Sequence, residues 1–112
     1  MDLVELLSVA DRMELRRIGV AVMPDFALPP GGWRERFEAV LIVRPDGTRL
    51  NAMARFAVVH FNARAASLRA AERWRLTVAF PALSGQDVPI GSRVMVAPSL
   101  KTAIEQGRAP GD

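Results

Sequence analysis

The stretch Arg36-Phe37-Glu38-Ala39-Val40-Leu41-Ile42-Val43-Arg44-Pro45-Asp46-Gly47-Thr48-Arg49-Leu50 reads as one arm of a β-hairpin, a turn and the start of the return arm. Phe37, Ala39, Leu41 and Val43 alternate with Arg36, Glu38 and Arg44, a period of two that suits a half-buried strand with the first set inward. In the turn, Pro45 presets a compatible φ, Asp46 can bond nearby backbone, and Gly47 accepts positive φ. The return arm places Leu50, Ala52, Ala54, Phe56 and Val58 on one face and Arg49, Asn51 and Arg55 on the other. Val59 and Phe61 then make both faces apolar, so the far end of this strand is expected to be doubly buried.

Further strands flank the hairpin. Leu3 to Met13 fits both helical and strand spacing, and the β-favouring run Ile18 to Met23 that follows tips the reading to strand. Gly19 inside that run marks a bulge or a close approach of another chain segment. Pro24, Pro29, Pro30, Gly31 and Gly32 are expected to make Pro24 to Trp33 a loop, with Phe26 and Trp33 folded back onto the end of the core. Asn62 to Glu72, rich in alanine, fits one or two helical turns or a surface loop. Trp74, Leu76, Val78 and Phe80 share one face of a strand that Pro81 ends, Ser84 to Asp87 is a turn, and Arg93 to Ala97 is a last short strand.

Short strands separated by turn residues, with no long central helix, indicate an all-β domain. Closure removes exposed edges, so the expected fold is a small closed Greek-key-type barrel of about six strands over residues 1–97. Residues 98–112 are expected to be a polar C-terminal tail, either a frayed helix or disordered, and dispensable for folding. At 112 residues, half of them hydrophobic, the chain has room for one core and not for two domains.

Composition narrows the chemistry. Without cysteine there are no disulfides, thiol nucleophiles, iron–sulfur clusters or thiolate zinc sites. The opening Met1-Asp2-Leu3 with Glu5 lacks the basic segment of a secretory signal, and no apolar run approaches the roughly 20 residues of a membrane-spanning helix. A cytoplasmic location is the expectation. Of the 15 basic residues only Lys101 is a lysine, and the pI is about 10.9.

Two segments taken together, Met13-Glu14-Leu15-Arg16-Arg17-Ile18-Gly19-Val20-Ala21-Val22 and Asp87-Val88-Pro89-Ile90-Gly91-Ser92-Arg93-Val94-Met95-Val96, resemble the second-domain β-barrel of elongation factor Tu. The resemblance spans Leu3 to Ala97, through a glycine-valine pair entering a strand and an Asp-Val-x-x-Gly turn feeding the last strand. It departs from the family at Arg17 and around Trp33 to Arg36. It implies a six- or seven-stranded barrel of the translation-protein type, which in that family serves as a docking surface for RNA and neighbouring domains. No phosphate-binding G-x-x-x-x-G-K-[ST] loop is present, so nothing of the GTPase domain carries over.

No catalytic constellation emerges. His60, the one histidine, falls in register with Phe56 and Val58 and reads as a structural residue; with no second histidine and scattered carboxylates, a metal site is not expected. Ser84 lacks the spacing of a nucleophile elbow, so a Ser84, His60 and Asp87 triad is not expected, and Glu35 and Glu38 read as solvated strand neighbours of arginines. Neither an enzyme activity nor a cofactor is expected. The segment Arg34 to Arg75 carries a net charge of +5, and Arg34, Arg36, Arg49, Arg55, Arg64, Arg69, Arg73 and Arg75 are candidates to converge on one binding face. The leading expectation is thus a non-enzymatic interaction module with a protein or RNA partner. The alternatives are an RNA or single-stranded nucleic-acid binder using the Arg-rich face, and a small-ligand barrel with its mouth near Trp33 and Trp74.

Overall fold

The computed structural model describes residues 2–60 and 74–106. Seven strands, β1 (Val4–Ser8), β2 (Asp11–Leu15), β3 (Gly19–Ala27), β4 (Arg36–Val43), β5 (Arg49–His60), β6 (Trp74–Phe80) and β7 (Arg93–Val96), form one antiparallel sheet, and α1 (Pro98–Gln106) follows. The order across the sheet is β1-β7-β4-β5-β6-β3-β2, curled into a half-barrel. The expected closed six-stranded barrel is therefore corrected on two counts, strand number and closure.

The physical reason lies in the N-terminal stretch. It is strand, as its β-favouring continuation indicated, but it splits into β1 and β2, which sit at opposite edges of the sheet. The two residues between them, Val9 and Ala10, have none of the positive-φ chemistry of a tight hairpin, so β1 and β2 do not turn to pair with each other. Instead the chain bends across: Val9 N–H donates to Ser92 O (2.8 Å) beside β7, and Ala10 N–H donates to Met23 O (2.8 Å) on β3.

The hairpin forms as read, with Val43 opposite Arg49. In its turn Arg44 N–H reaches Thr48 O (2.8 Å), Gly47 N–H reaches Arg44 O (2.9 Å), and the Asp46 carboxylate accepts from Thr48 N–H and Oγ1–H. The inward face of β4 is the opposite of the expected one. Val40 and Ile42 are buried, whereas Phe37 is 51% exposed. Ala39 to Val43 is apolar at every position, so β4 alone has no alternation there; β5 decides, because Ile42 lies opposite Leu50 and Val40 opposite Ala52, while Arg49, Asn51 and Arg55 exclude the other face from the core. Ala54 and Phe56 are fully buried, and Val58 and Val59 at the far end of β5 are only half-buried.

β3 continues to Ala27 through the segment expected to be loop. Between the pairs Val22–Val78 and Phe26–Leu76 the register slips, and the cis Met23–Pro24 peptide lies in this irregularity, where a residue without N–H interrupts no ladder bond. Phe26 and Trp33 do fold back onto the core, and the Trp33 Nε1–H donates to Phe56 O (3.0 Å). On β6, Leu76, Val78 and Phe80 are fully buried, whereas Trp74 is 46% exposed. Ser84 to Asp87 is a single 3-10 turn, tied by Ser84 N–H to Asp87 Oδ2 (2.9 Å) and held to β2 by Arg12, which donates to Gly85 O, and by Gly85 N–H donating to Glu14 Oε1 (2.7 Å). The expectations for Asn62 to Glu72 fall outside the described residues.

Pro98–Gln106 is not a tail. Pro98 opens a helix whose Leu100, Ala103 and Ile104 fall at i, i+3 and i+4 and are buried in the same core as Leu7, Val9 and Val96. The expectation of a polar tail fails because three apolar side chains in nine residues suffice to dock one short helix on an existing core; residues 107–112 lie outside the described residues.

Gly19 has φ +92°, and a Cβ there would lie 2.2 Å from Phe80 O and 2.5 Å from Pro81 Cα. Gly47 has φ +88° with nothing within 4 Å. Gly47→Ala is expected to cost only the left-handed penalty of about 1–2 kcal/mol, and Gly19→Ala clearly more, because backbone cannot yield; equilibrium urea unfolding of both variants checks this. In the same assay Leu100→Ala and Ile104→Ala are each expected to cost about 2–5 kcal/mol, and equal stability of the parent and these variants would mean that α1 contributes nothing to the core.

Candidate functional site

The structure disperses the arginine set. Arg36 lies on the core-facing register of β4, bound to Glu38 (Nε to Oε2, 3.0 Å) with its guanidinium 5.8 Å from the Trp33 ring centre. Arg55 projects from the convex face and pairs with Glu35 (2.7 Å), and Arg75 pairs with Asp25 (3.0 Å). Arg34 is exposed in the loop before β4. Arg49 shares the convex face with Arg55 but stands six residues away, about 20 Å along the strand. Arg64, Arg69 and Arg73 lie outside the described residues. Three of the five described members are thus neutralised by carboxylates and distributed over two faces.

A different grouping appears at the end of the sheet. Val43 pairs with Arg49 on β5 and with Arg93 on β7, so two guanidiniums flank one valine in a single cross-strand row. In the next row Leu41 lies beside Met95. Arg49, Val43, Arg93, Leu41, Met95, Leu3 and Asp2 line a groove of about 550 Å³ on the convex face. Among the described residues neither Arg49 nor Arg93 has an ion-pair partner. The apolar surface continues down β4 to Ala39 and Phe37, and beside Ala39 stands Met53, 56% exposed. Sequence reasoning missed Arg93 because it lies outside the basic segment; only the pairing of β7 with β4, some fifty residues apart in the chain, brings it opposite Val43. The alternation of Arg93 and Met95 with Val94 and Val96 was the available signal.

The remaining sequence candidates have other surroundings. Ser84 and Asp87 bond to each other as the closure of the 3-10 turn, with Ser84 Oγ–H donating to Asp87 Oδ2 at 3.2 Å. The side chain of His60 lies outside the described residues. Trp33 is tied to Phe56 O, and Trp74 pairs along the backbone with His60, four residues further along β5, a strand rise of about 13 Å. Ile42, Phe56, Leu76 and Phe80, all fully buried, fill the concave face. Among the described residues no three His, Cys, Asp or Glu side chains gather as a metal site, and no helix is long and apolar enough to cross a membrane.

Comparisons with protein-family models, curated proteins and solved structures found no match to this chain.

The Glu35 carboxyl is held below its ordinary range, chiefly by the hydrogen bond from Arg55; desolvation opposes this, and the Arg55 charge adds a smaller lowering effect. A lowered folded-state pKa means that this pair's contribution is present above the ordinary glutamate range and is lost as pH falls through the folded value. Carboxyl-carbon NMR titration is expected to show Glu35 titrating below the ordinary glutamate range and moving back up toward it in Arg55→Gln; an unshifted Glu35 in the parent protein would mean that Arg55 is not bound to it in solution.

Proposed function

We propose that this chain is a non-enzymatic, cytoplasmic interaction module that docks a protein partner on the convex face of β4, β5 and β7. The observation that carries this reading is the outward apolar row Phe37, Ala39, Leu41 and Val43 on an interior strand of the sheet, flanked by Met53 and Met95. Scattered exposed apolar residues need no explanation, but a contiguous stripe of them marks an interaction surface. A stripe that combines phenylalanine, methionine and bordering arginines matches the composition of protein interfaces. The resemblance to the second domain of elongation factor Tu supports the same class of role, a barrel-like unit that docks neighbouring domains without doing chemistry. A protein is favoured over RNA because Arg36, Arg55 and Arg75 are engaged by Glu38, Glu35 and Asp25, which leaves fewer free guanidiniums for phosphates.

The test compares immobilised parent protein with the double variant Phe37→Asp, Met53→Asp in quantitative capture from native extract. Both positions are exposed, so the variant is expected to melt within about 0.5 kcal/mol of the parent and to lose a discrete protein that the parent retains. An identical set retained by both would refute the convex face. Capture dominated by RNA and lost steeply between low and moderate salt would favour the nucleic-acid reading instead.

A further inference from the structure

The Arg49 and Arg93 row has a second property: it is the last row of the sheet. β4 ends at Val43, β5 begins at Arg49 and β7 begins at Arg93. Beyond it the chain turns at Arg44 to Thr48, and Gly91 packs close to Pro45, its Cβ position lying 3.3 Å from Pro45 Cγ. An extended chain lying over Leu41 and Met95 therefore runs out of apolar floor where the two guanidiniums stand. A polypeptide that ends there presents its terminal carboxylate to them. Arg49 and Arg93 sit on strands either side of β4, about 10 Å apart at the backbone, a separation that two long side chains can close around one two-oxygen anion. β1 pairs with β7 with Ser8 opposite Arg93 and Val4 opposite Val96, so Asp2, which lines the groove with Leu3, lies toward the end away from Arg93. The groove is thus cationic at one end, apolar along its floor and anionic at the other.

Resting on the reading of this chain as a protein-interaction module, we infer that the groove binds the C-terminal tail of the partner: about four extended apolar residues, with the free carboxylate between Arg49 and Arg93 and a basic side chain upstream facing Asp2. The length follows from the groove floor at Val43 and Leu41 together with the outward Ala39 next along β4, since Val43 to Ala39 spans about 13 Å, the rise of four extended residues. The volume of about 550 Å³ lies within the range of specific small-ligand sites. Acidic side chains within a continuing chain fit less well, because the floor stops at the arginine row. A fatty acid satisfies the arginines and the floor and leaves Asp2 unused.

The test is fluorescence anisotropy with the N-terminally labelled peptide Gly-Lys-Leu-Val-Leu-Val bearing a free carboxylate, against the same peptide as its C-terminal amide. Saturable binding of the acid is expected, with the amide weaker by about tenfold or more, as befits the loss of charge-assisted hydrogen bonds. The exposed substitutions Arg49→Gln and Arg93→Gln are each expected to weaken the acid about tenfold, and together to abolish the difference between acid and amide. Asp2→Asn is expected to weaken this peptide and leave its Lys→Gln counterpart unchanged. Equal binding of acid and amide overturns the inference, as does no binding of the acid at about 1 mM. Arginine-dependent binding of decanoate, with none of the peptide, overturns it in favour of a lipid-like carboxylate. If the peptide fails while Phe37→Asp, Met53→Asp still loses its captured protein, the tail site falls and the docking face stands; if both fail, the interaction reading falls as well.

Discussion

One rung, Val43 opposite Arg49, sets the rest of the structure. Because side chains alternate across a strand, that rung turns Val40 and Ile42 toward Ala52 and Leu50 and the concave core, and sends Phe37, Ala39, Leu41 and Val43 outward. A one-residue slip of β4 would bury Phe37 and expose Ile42, whereas a one-residue slip of β5 would set Arg49 and Asn51 against the interior, at the desolvation cost of those polar side chains. The Asp46 and Thr48 bonds and the positive φ of Gly47 hold the turn that fixes this rung. The same rung creates both the core and the exposed stripe.

The edges show how a small sheet guards its outer strands without closing. β2 carries Asp11, Arg12 and Glu14 along its edge, and Arg12 and Glu14 are occupied with the 3-10 turn. β1 has Glu5 and a register shift between Glu5 and Leu7. Charge and irregularity on edge strands are the usual protection against edge-to-edge pairing, so full closure is not the only way to satisfy that constraint. The bend at Val9 and Ala10 joins the two edges covalently, and α1 caps the core beside β1 with Leu100 and Ile104.

The distribution of charge follows the same separation of near and far. Arg36 with Glu38 is a local pair, two residues apart on one strand, while Arg55 with Glu35 and Arg75 with Asp25 are brought together by folding. Among the described residues, these pairs engage Arg36, Arg55 and Arg75 of the basic segment with carboxylates. Arg49 and Arg93 escape because nothing acidic among the described residues stands across from them at the end of the sheet. Their isolation beside an apolar floor gives this groove its character.

The sequence by itself determined the hairpin and its turn, the strand character of β3, β6 and β7, a special role for Gly19 and the return of Phe26 and Trp33 to the core. Each rests on local constraints: period-two alternation, turn stereochemistry, and positions where only glycine fits. The tertiary structure alone decided which face of β4 is buried, since Ala39 to Val43 is apolar throughout and only its neighbour β5 breaks the tie. It alone placed β1 and β2 at opposite edges, extended β3 past Pro24, and docked Pro98–Gln106. It also brought Arg93 level with Arg49, because that juxtaposition depends on the pairing of β7 with β4, a long-range contact whose partners carry no local mark of each other.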